Sequence, residues 1–269
     1  MTTFDLDAYL QRIGFVGSRS PDLATLKAVV LAHAQGIAFE NLDPFLGRDV
    51  HLDLESLQRK LVHGRRGGYC FEQNLLLDHA LRSLGYQTTG LAGRVLWMRP
   101  EDAVTTRSHM LLRVDLDGQT YLVDVGFGGM TLTGVLELES DLVQPTPHEP
   151  YRLLRDDDAF LMQTCVDEQW RTLYRFDLHP QLLPDYDMTS WYLSNHPQSQ
   201  FVTGLIVARP DVGRRYALRG TELTEHHRDG RIDRRKLSDV RELRGELEET
   251  FGLTLPSGPE LDETLKRLI

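Results

Sequence analysis

Apolar residues recur at helical spacing through the first third of the chain. After Asp5, the residues Leu6, Tyr9, Leu10 and Ile13 share one face, which predicts a first capped helix. Leu23, Leu26, Val29, Val30 and His33 repeat the pattern after Pro21-Asp22. Leu54, Leu57, Leu61 and Val62 repeat it after Asp53, in a helix ending near Gly64. Residues 36–44 read as a loop between them. From Leu77, residues 77, 80, 81 and 84 again share a face, and Gly85 is a suitable stop. One heptad back from Leu77 lies Cys70, so its thiol falls in the first turn and points inward.

After Gly85 the period changes to two. Residues 95–98 are a strand candidate. Residues 110–116 and 119–125 are better ones, separated by Asp117-Gly118, a hairpin turn signal. Short strands at 151–154, 160–162 and 170–174 continue a mostly antiparallel region to about residue 190, a small barrel or sandwich. Residues 201–208 and 214–218 read as further strands. Ser238 caps a helix carrying Val240, Leu243, Leu247 and Phe251, and Pro259 opens a last short helix. Asp156-Asp157-Asp158 and His226-His227 read as turns exposed to water. No repeat interrupts the pattern.

Composition narrows the class. The 269 residues are 41% hydrophobic and 26% charged, as in an ordinary soluble chain of one unit or two to three small domains. The net charge of -10 argues against a general nucleic-acid binder. Cys70 and Cys165 form no Cys-x-x-Cys pair, and no spacing of two metal ligands recurs, so neither a metal site nor a disulfide framework is expected. The first ten residues lack the apolar core of a secretory signal, and no window reaches a membrane span. A reduced, cytoplasmic setting follows, which suits a working thiol.

Two readings of Cys70 are open on its own stretch. Free cysteine is commonly a small buried hydrophobe. At a helix start, however, the unpaired N–H groups favour an anion, and the thiolate is the nucleophilic form. The hairpin bears on the choice. With Asp117-Gly118 as the turn, facing positions sum to 235. Met110, Leu112 and Val114 then face Val125, Val123 and Tyr121 on an apolar side. The other side carries His109, Leu111 and Arg113 on one strand, and Leu122 and Asp124 on the other. Asp124 lies across from Leu111 and diagonal to His109, roughly 7–8 Å away at Cα and within reach of two polar side chains. A one-residue slip destroys the apolar face, so this register is well specified. A nucleophile (Cys70), a base (His109) and an orienting carboxylate (Asp124) are thereby on offer. The segment Gly126-Phe127-Gly128-Gly129 follows, a glycine-rich turn whose N–H groups can meet an anionic ligand beside an aromatic wall.

These residues resemble the arylamine N-acetyltransferases in their bacterial form. The resemblance rests on Arg66-Gly67-Gly68-Tyr69-Cys70 with Glu72 and Asn74, on Ser108-His109, on residues 123–129 and on Phe39-Glu40-Asn41-Leu42, where Ala38 stands in place of the family's usual proline. It extends through Trp191-Tyr192 and Asn195-His196-Pro197. It implies an α+β fold: a helical bundle over residues 1–85, an antiparallel β-barrel over 86–190 and a C-terminal α/β lid over 191–269. A cysteine-protease-like catalytic core would lie across the first two. It implies no permanently bound cofactor, with acetyl-coenzyme A as co-substrate and small aromatic amines or hydrazines as acceptors, in a monomer or homodimer. Phe39, Gly126, Phe127, Gly128, Gly129 and His196 would meet substrate or coenzyme A. The same triad also serves transglutaminase-like and papain-like cysteine hydrolases, which are the rival reading, and a non-enzymatic binding protein is a third.

Overall fold

Three of the first helices begin at an aspartate whose side chain accepts a backbone N–H three residues on. α1 (Leu6–Arg12) follows Asp5, and α2 (Leu23–Gly36) follows Asp22. The computed structural model describes residues 3–269; Met1 and Thr2, at the head of the stretch expected to be helical, lie outside the described residues. The expected loop at 36–44 contains a two-residue strand, β1 (Phe39–Glu40), and one helical turn, α3 (Leu42–Phe45). α4 (Leu54–Leu57), capped by Asp53, widens into a π-helical stretch at Gln58–His63. α5 (Cys70–Ser83) starts at the cysteine. Leu26, Val30, Leu57, Leu61, Leu76, Leu77 and Leu81 from these helices are fully buried in one core.

The middle of the chain supplies β2 (Gln87–Val95), β3 (His109–Leu116), β4 (Gln119–Val123), β5 (Leu136–Glu137), β6 (Tyr151–Asp156), β7 (Ala159–Val166) and β8 (Gln169–Asp177). Among the described residues they form a seven-stranded sheet in the order β5-β4-β3-β2-β8-β7-β6. Bridges Ser140–Leu153 and Gln144–Tyr151 bring the two ends together, so the sheet is a nearly closed barrel. The β3–β4 register is Leu112–Val123, Arg113–Leu122 and Val114–Tyr121, the pairing expected from the alternation. Asp117 and Gly118 both have positive φ, 51° and 78°, as a tight turn matching the strand twist requires. One face of the hairpin packs on the helices, and Leu111 and Leu122 of the other face fill the barrel interior.

Several boundaries differ from expectation. Residues 95–98 do not start a strand. β2 ends at Val95, both Leu96 and Trp97 donate to the Leu173 carbonyl, and Met98 turns at φ 60°. The apolar run at 201–208 is split, because Ser199 caps a helical turn, α7 (Gln200–Thr203), before β9 (Ile206–Asp211) begins. The cap of α8 (Val240–Glu249) is Asp239; Ser238 instead bonds the Glu242 carboxylate. His226 and His227 are not a turn but the end of β11 (Glu222–His227), and Asp156 closes β6.

The last part also holds α6 (Leu183–Asn195), β10 (Arg214–Arg219), β12 (Ile232–Lys236) and α9 (Pro259–Leu265). Its sheet runs β1-β9-β10-β11-β12, so Phe39–Glu40 of the first segment is an edge strand of the last one. Asn41 fixes this junction: its side chain donates to the carbonyls of Phe201 and Gly204 and accepts from Ile206 N. Among the described residues, no helix is long and apolar enough to cross a membrane.

Candidate active site

Cys70 occupies the first position of α5, and Tyr69 before it is extended. Its thiol donates to the Ser108 carbonyl at 3.7 Å. The neighbouring residue, His109, opens β3 and points into the barrel end. His109 Nε2 lies 2.6 Å from Asp124 Oδ2. Cys70, His109 and Asp124 are 4%, 3% and 1% exposed, so the group is shielded from bulk water.

β4 ends one residue before Asp124, and the carboxylate itself bends the chain away, with its Oδ1 accepting Gly126 N at 3.0 Å. Asn74 Nδ2 donates to the same oxygen at 3.1 Å, and the Tyr174 hydroxyl donates to Oδ2 at 3.0 Å. Burial opposes the charge of Asp124, but His109 and these donors outweigh it and hold the carboxyl below its ordinary value. Burial likewise pulls an imidazolium down. The Asp124 carboxylate, and then the hydrogen bond to Cys70, reverse this and push His109 up to about 10. With Nε2 on Asp124, the other ring nitrogen is the one left for the thiol.

The glycine segment folds over this pair. A Cβ at Gly126 would sit 2.7 Å from Cys70 Cα, so only glycine lets the loop approach α5 so closely. Phe127 meets the His109 ring edge-on, with centroids 5.1 Å apart. Gly128 takes φ 72° and faces the Phe39 ring, which packs on Phe201. Gly129 is exposed with open space beside it. His196 ends α6 and stacks on Tyr192, with centroids 4.5 Å apart.

A sequence model described as N-acetyltransferase matches residues 22–259 of this chain. The chain belongs to the arylamine N-acetyltransferase family. The arylamine N-acetyltransferase of Mycolicibacterium smegmatis is 46% identical over 255 residues, covering 93% of this chain and 92% of that protein. The structure of the Mycobacterium marinum arylamine N-acetyltransferase superposes with a TM-score of 0.95 at 41% identity, covering 98% of this chain and 99% of that one. The same enzyme in complex with CoA gives 0.94 at 41% identity, over 98% and 99%.

Two functional neighbours had no role read from the sequence: Asn74, named there only as part of the cysteine motif, and Tyr174. Asn74 follows Cys70 by four residues and so shares its helix face, a spacing that could have revealed it. It ties α5 to the hairpin end by donating to Met110 O and accepting Val125 N, besides bonding Asp124. Tyr174 lies on β8, and nothing in its local pattern singles it out. Far from this site, Glu225, His227 and Asp233 bring ligand atoms within 4.8 Å of one another, but Arg214 and Arg231 hold the two carboxylates.

Proposed function

We propose that the chain transfers an acetyl group from acetyl-coenzyme A to an arylamine, arylhydrazine or N-hydroxyarylamine in two steps through an acetyl-cysteine. The observation that carries this reading is the buried Cys70–His109–Asp124 arrangement in a chain of this family. The Cys70 thiolate attacks the thioester carbonyl and forms a new C–S bond. The tetrahedral oxyanion lies at the first turn of α5, whose N–H groups ahead of Gln73 have no partner within the helix. Its collapse breaks the bond to coenzyme A sulfur, and His109 supplies the proton to the departing thiolate. A neutral amine then attacks the acetyl-cysteine, His109 takes the amine's proton, and the Cys70 thiolate is regenerated.

The core is cysteine-protease-like in its roles, but the burial of all three groups favours transfer over hydrolysis because it keeps water from the thioester. Phe39 and Phe127 form the aromatic wall for the acceptor, and Gly126, Gly128 and Gly129 border the coenzyme A thioester. His196, at the end of α6, is a further candidate contact for substrate or coenzyme A. Residues 1–85, 86–190 and 191–269 act as bundle, barrel and lid, in a cytoplasmic monomer or homodimer with no resident cofactor.

Incubation with acetyl-coenzyme A followed by intact mass spectrometry tests the scheme. One acetyl adduct on Cys70 is expected, discharged on adding an aromatic amine. An adduct that persists in Cys70→Ala, or none in the native chain, overturns it.

A further inference from the structure

Five charges, three buried carboxyl groups and two half-buried cations, lie beneath the first turn of α5, and the acetyl transfer as described uses none of them. Lys60 Nζ is 2.6 Å from Asp43 Oδ2 and 2.7 Å from Glu72 Oε1. Arg66 is 2.8 Å from Glu40 Oε1 and 3.1 Å from Asp43 Oδ1. Two cations therefore meet three carboxylates. The cluster holds either an uncompensated negative charge or one extra proton.

The three carboxyl groups are not equally supported. Glu40 takes the Arg66 guanidinium and Leu42 N. Asp43 bridges both cations. Glu72 has only the Lys60 ammonium, which it shares with Asp43, and Tyr69 N at 3.1 Å. Burial raises Glu72 to about 7, the two other carboxylates add to this, and Lys60 opposes it. The odd proton therefore resides on Glu72 below neutrality.

Glu72 is also placed where its charge matters. It follows Cys70 by two residues, and it caps the residue before Cys70 through Tyr69 N. A Cβ on Gly68 would lie 2.7 Å from Glu72 Oε2, so the second glycine of the cysteine motif is what lets this carboxyl reach the chain entering α5. The charged and titratable groups around it are Lys60 from the π-helical stretch, Glu40 from β1, Asp43 from α3, and Arg66 and Tyr69 from the entry to α5.

We infer that Glu72 is a positioning residue for the acyl transfer: it fixes the chain entering α5, and its charge state sets the field in which the Cys70 thiolate forms. This rests on Cys70 being the nucleophile. A carboxylate in the same buried turn opposes a thiolate, and a neutral carboxyl does not. Proton uptake by Glu72 therefore eases thiolate formation without altering the groups that touch the substrate.

Glu72→Gln tests this, since it leaves two cations facing two carboxylates and keeps an oxygen for Tyr69 N. Above about pH 7, where the native carboxyl is ionised, the variant's profile of Cys70 alkylation by iodoacetamide should be displaced towards faster reaction by about one pH unit, from a like charge within one turn, whereas below pH 7 the two profiles should coincide. The KM for acetyl-coenzyme A should stay as in the native chain. A profile that superposes on the native one overturns the inference, even where native Cys70 takes up acetyl. Absence of the acetyl adduct in the native chain instead overturns the transferase reading, and leaves the alkylation profile to decide on Glu72. NMR of glutamate labelled at the side-chain carboxyl carbon decides without the variant. One glutamate should titrate near pH 7 and shift in Cys70→Ala, whereas a full set titrating in the ordinary carboxylate range rules the proposal out.

Discussion

Asp124 accepts four hydrogen bonds while almost wholly buried, from His109, Tyr174, Asn74 and Gly126. Asparagine at this position keeps one acceptor but sets an NH2 either against the His109 N–H and Tyr174 hydroxyl or against the Asn74 and Gly126 N–H groups. Donor then faces donor, and the imidazolium loses its counter-ion. Asp124→Asn should lower the rate of Cys70 acetylation about 10³- to 10⁴-fold, as loss of the correct tautomer does in such triads. It should cost about 3–5 kcal/mol at pH 7, because a buried charge is left unpaired. The pH dependence carries a sign. His109 is raised in the folded chain, so its stabilisation is complete below about 6.5 and is lost as pH rises through about 10. Thermal midpoints of the native chain should therefore fall progressively between about pH 6.5 and 10 and level off above, and the variant should lack that slope. A native chain equally stable across this range would mean that His109 carries no such proton. The same site shows what could be read in advance. His109 and Asp124 were legible because a fixed register places them, whereas Tyr174 reaches Asp124 from a strand far along the chain, and no local pattern records that.

α5 and the β3–β4 hairpin are held together by a contact only glycine allows and by one asparagine. Gly126 passes close to Cys70 Cα, and Asn74 bonds Met110 O, Asp124 Oδ1 and Val125 N. Gly126→Ala places a methyl against helix backbone, which cannot shift as a side-chain tip would. It should cost about 1–3 kcal/mol and lower acetylation of Cys70 more than an equal destabilisation elsewhere does. Urea unfolding beside single-turnover acetylation separates the two effects, and a variant that is less stable yet acetylates normally would show the close approach to be structural only. The hairpin was legible because its turn residues and its alternation agree. β11 and β12 were not. β11 is half-buried but polar, with Leu223 its one aliphatic residue, and Ile232–Lys236 is exposed throughout, so neither offers an apolar face to read. β2 was placed too late because Gly90 and Gly93 break its alternation. Those glycines answer to Tyr186 and Tyr174, which occupy the space of a side chain there.

At the scale of the whole molecule, the two sheets are joined by a polar clasp centred on Arg215. It leaves β10 of the five-stranded sheet buried, 2% exposed, bonds both Glu149 carboxylate oxygens at 2.6–3.0 Å, and donates to Thr131 O at 2.9 Å. Thr131 directly follows the Gly128–Met130 turn, so this side chain links the five-stranded sheet to the loop beside Cys70. Removing Glu149 strands the Arg215 guanidinium away from water, so Glu149→Leu should cost about 3–5 kcal/mol. Arg215→Met leaves a Glu149 side chain that is 24% exposed and still meets water, so its unpaired charge costs less, and the double variant should cost clearly less than the sum of the two, because no charge is then left buried. The unpartnered Thr131 carbonyl remains in Arg215→Met and in the double variant, at about 1–3 kcal/mol. Kinetics distinguish the two bonds. If the link to Thr131 positions the glycine loop, the KM for acetyl-coenzyme A rises in both of those variants but not in Glu149→Leu. A KM that recovers together with stability in the double variant would assign the clasp to holding the two sheets together, with no part in shaping the approach to Cys70.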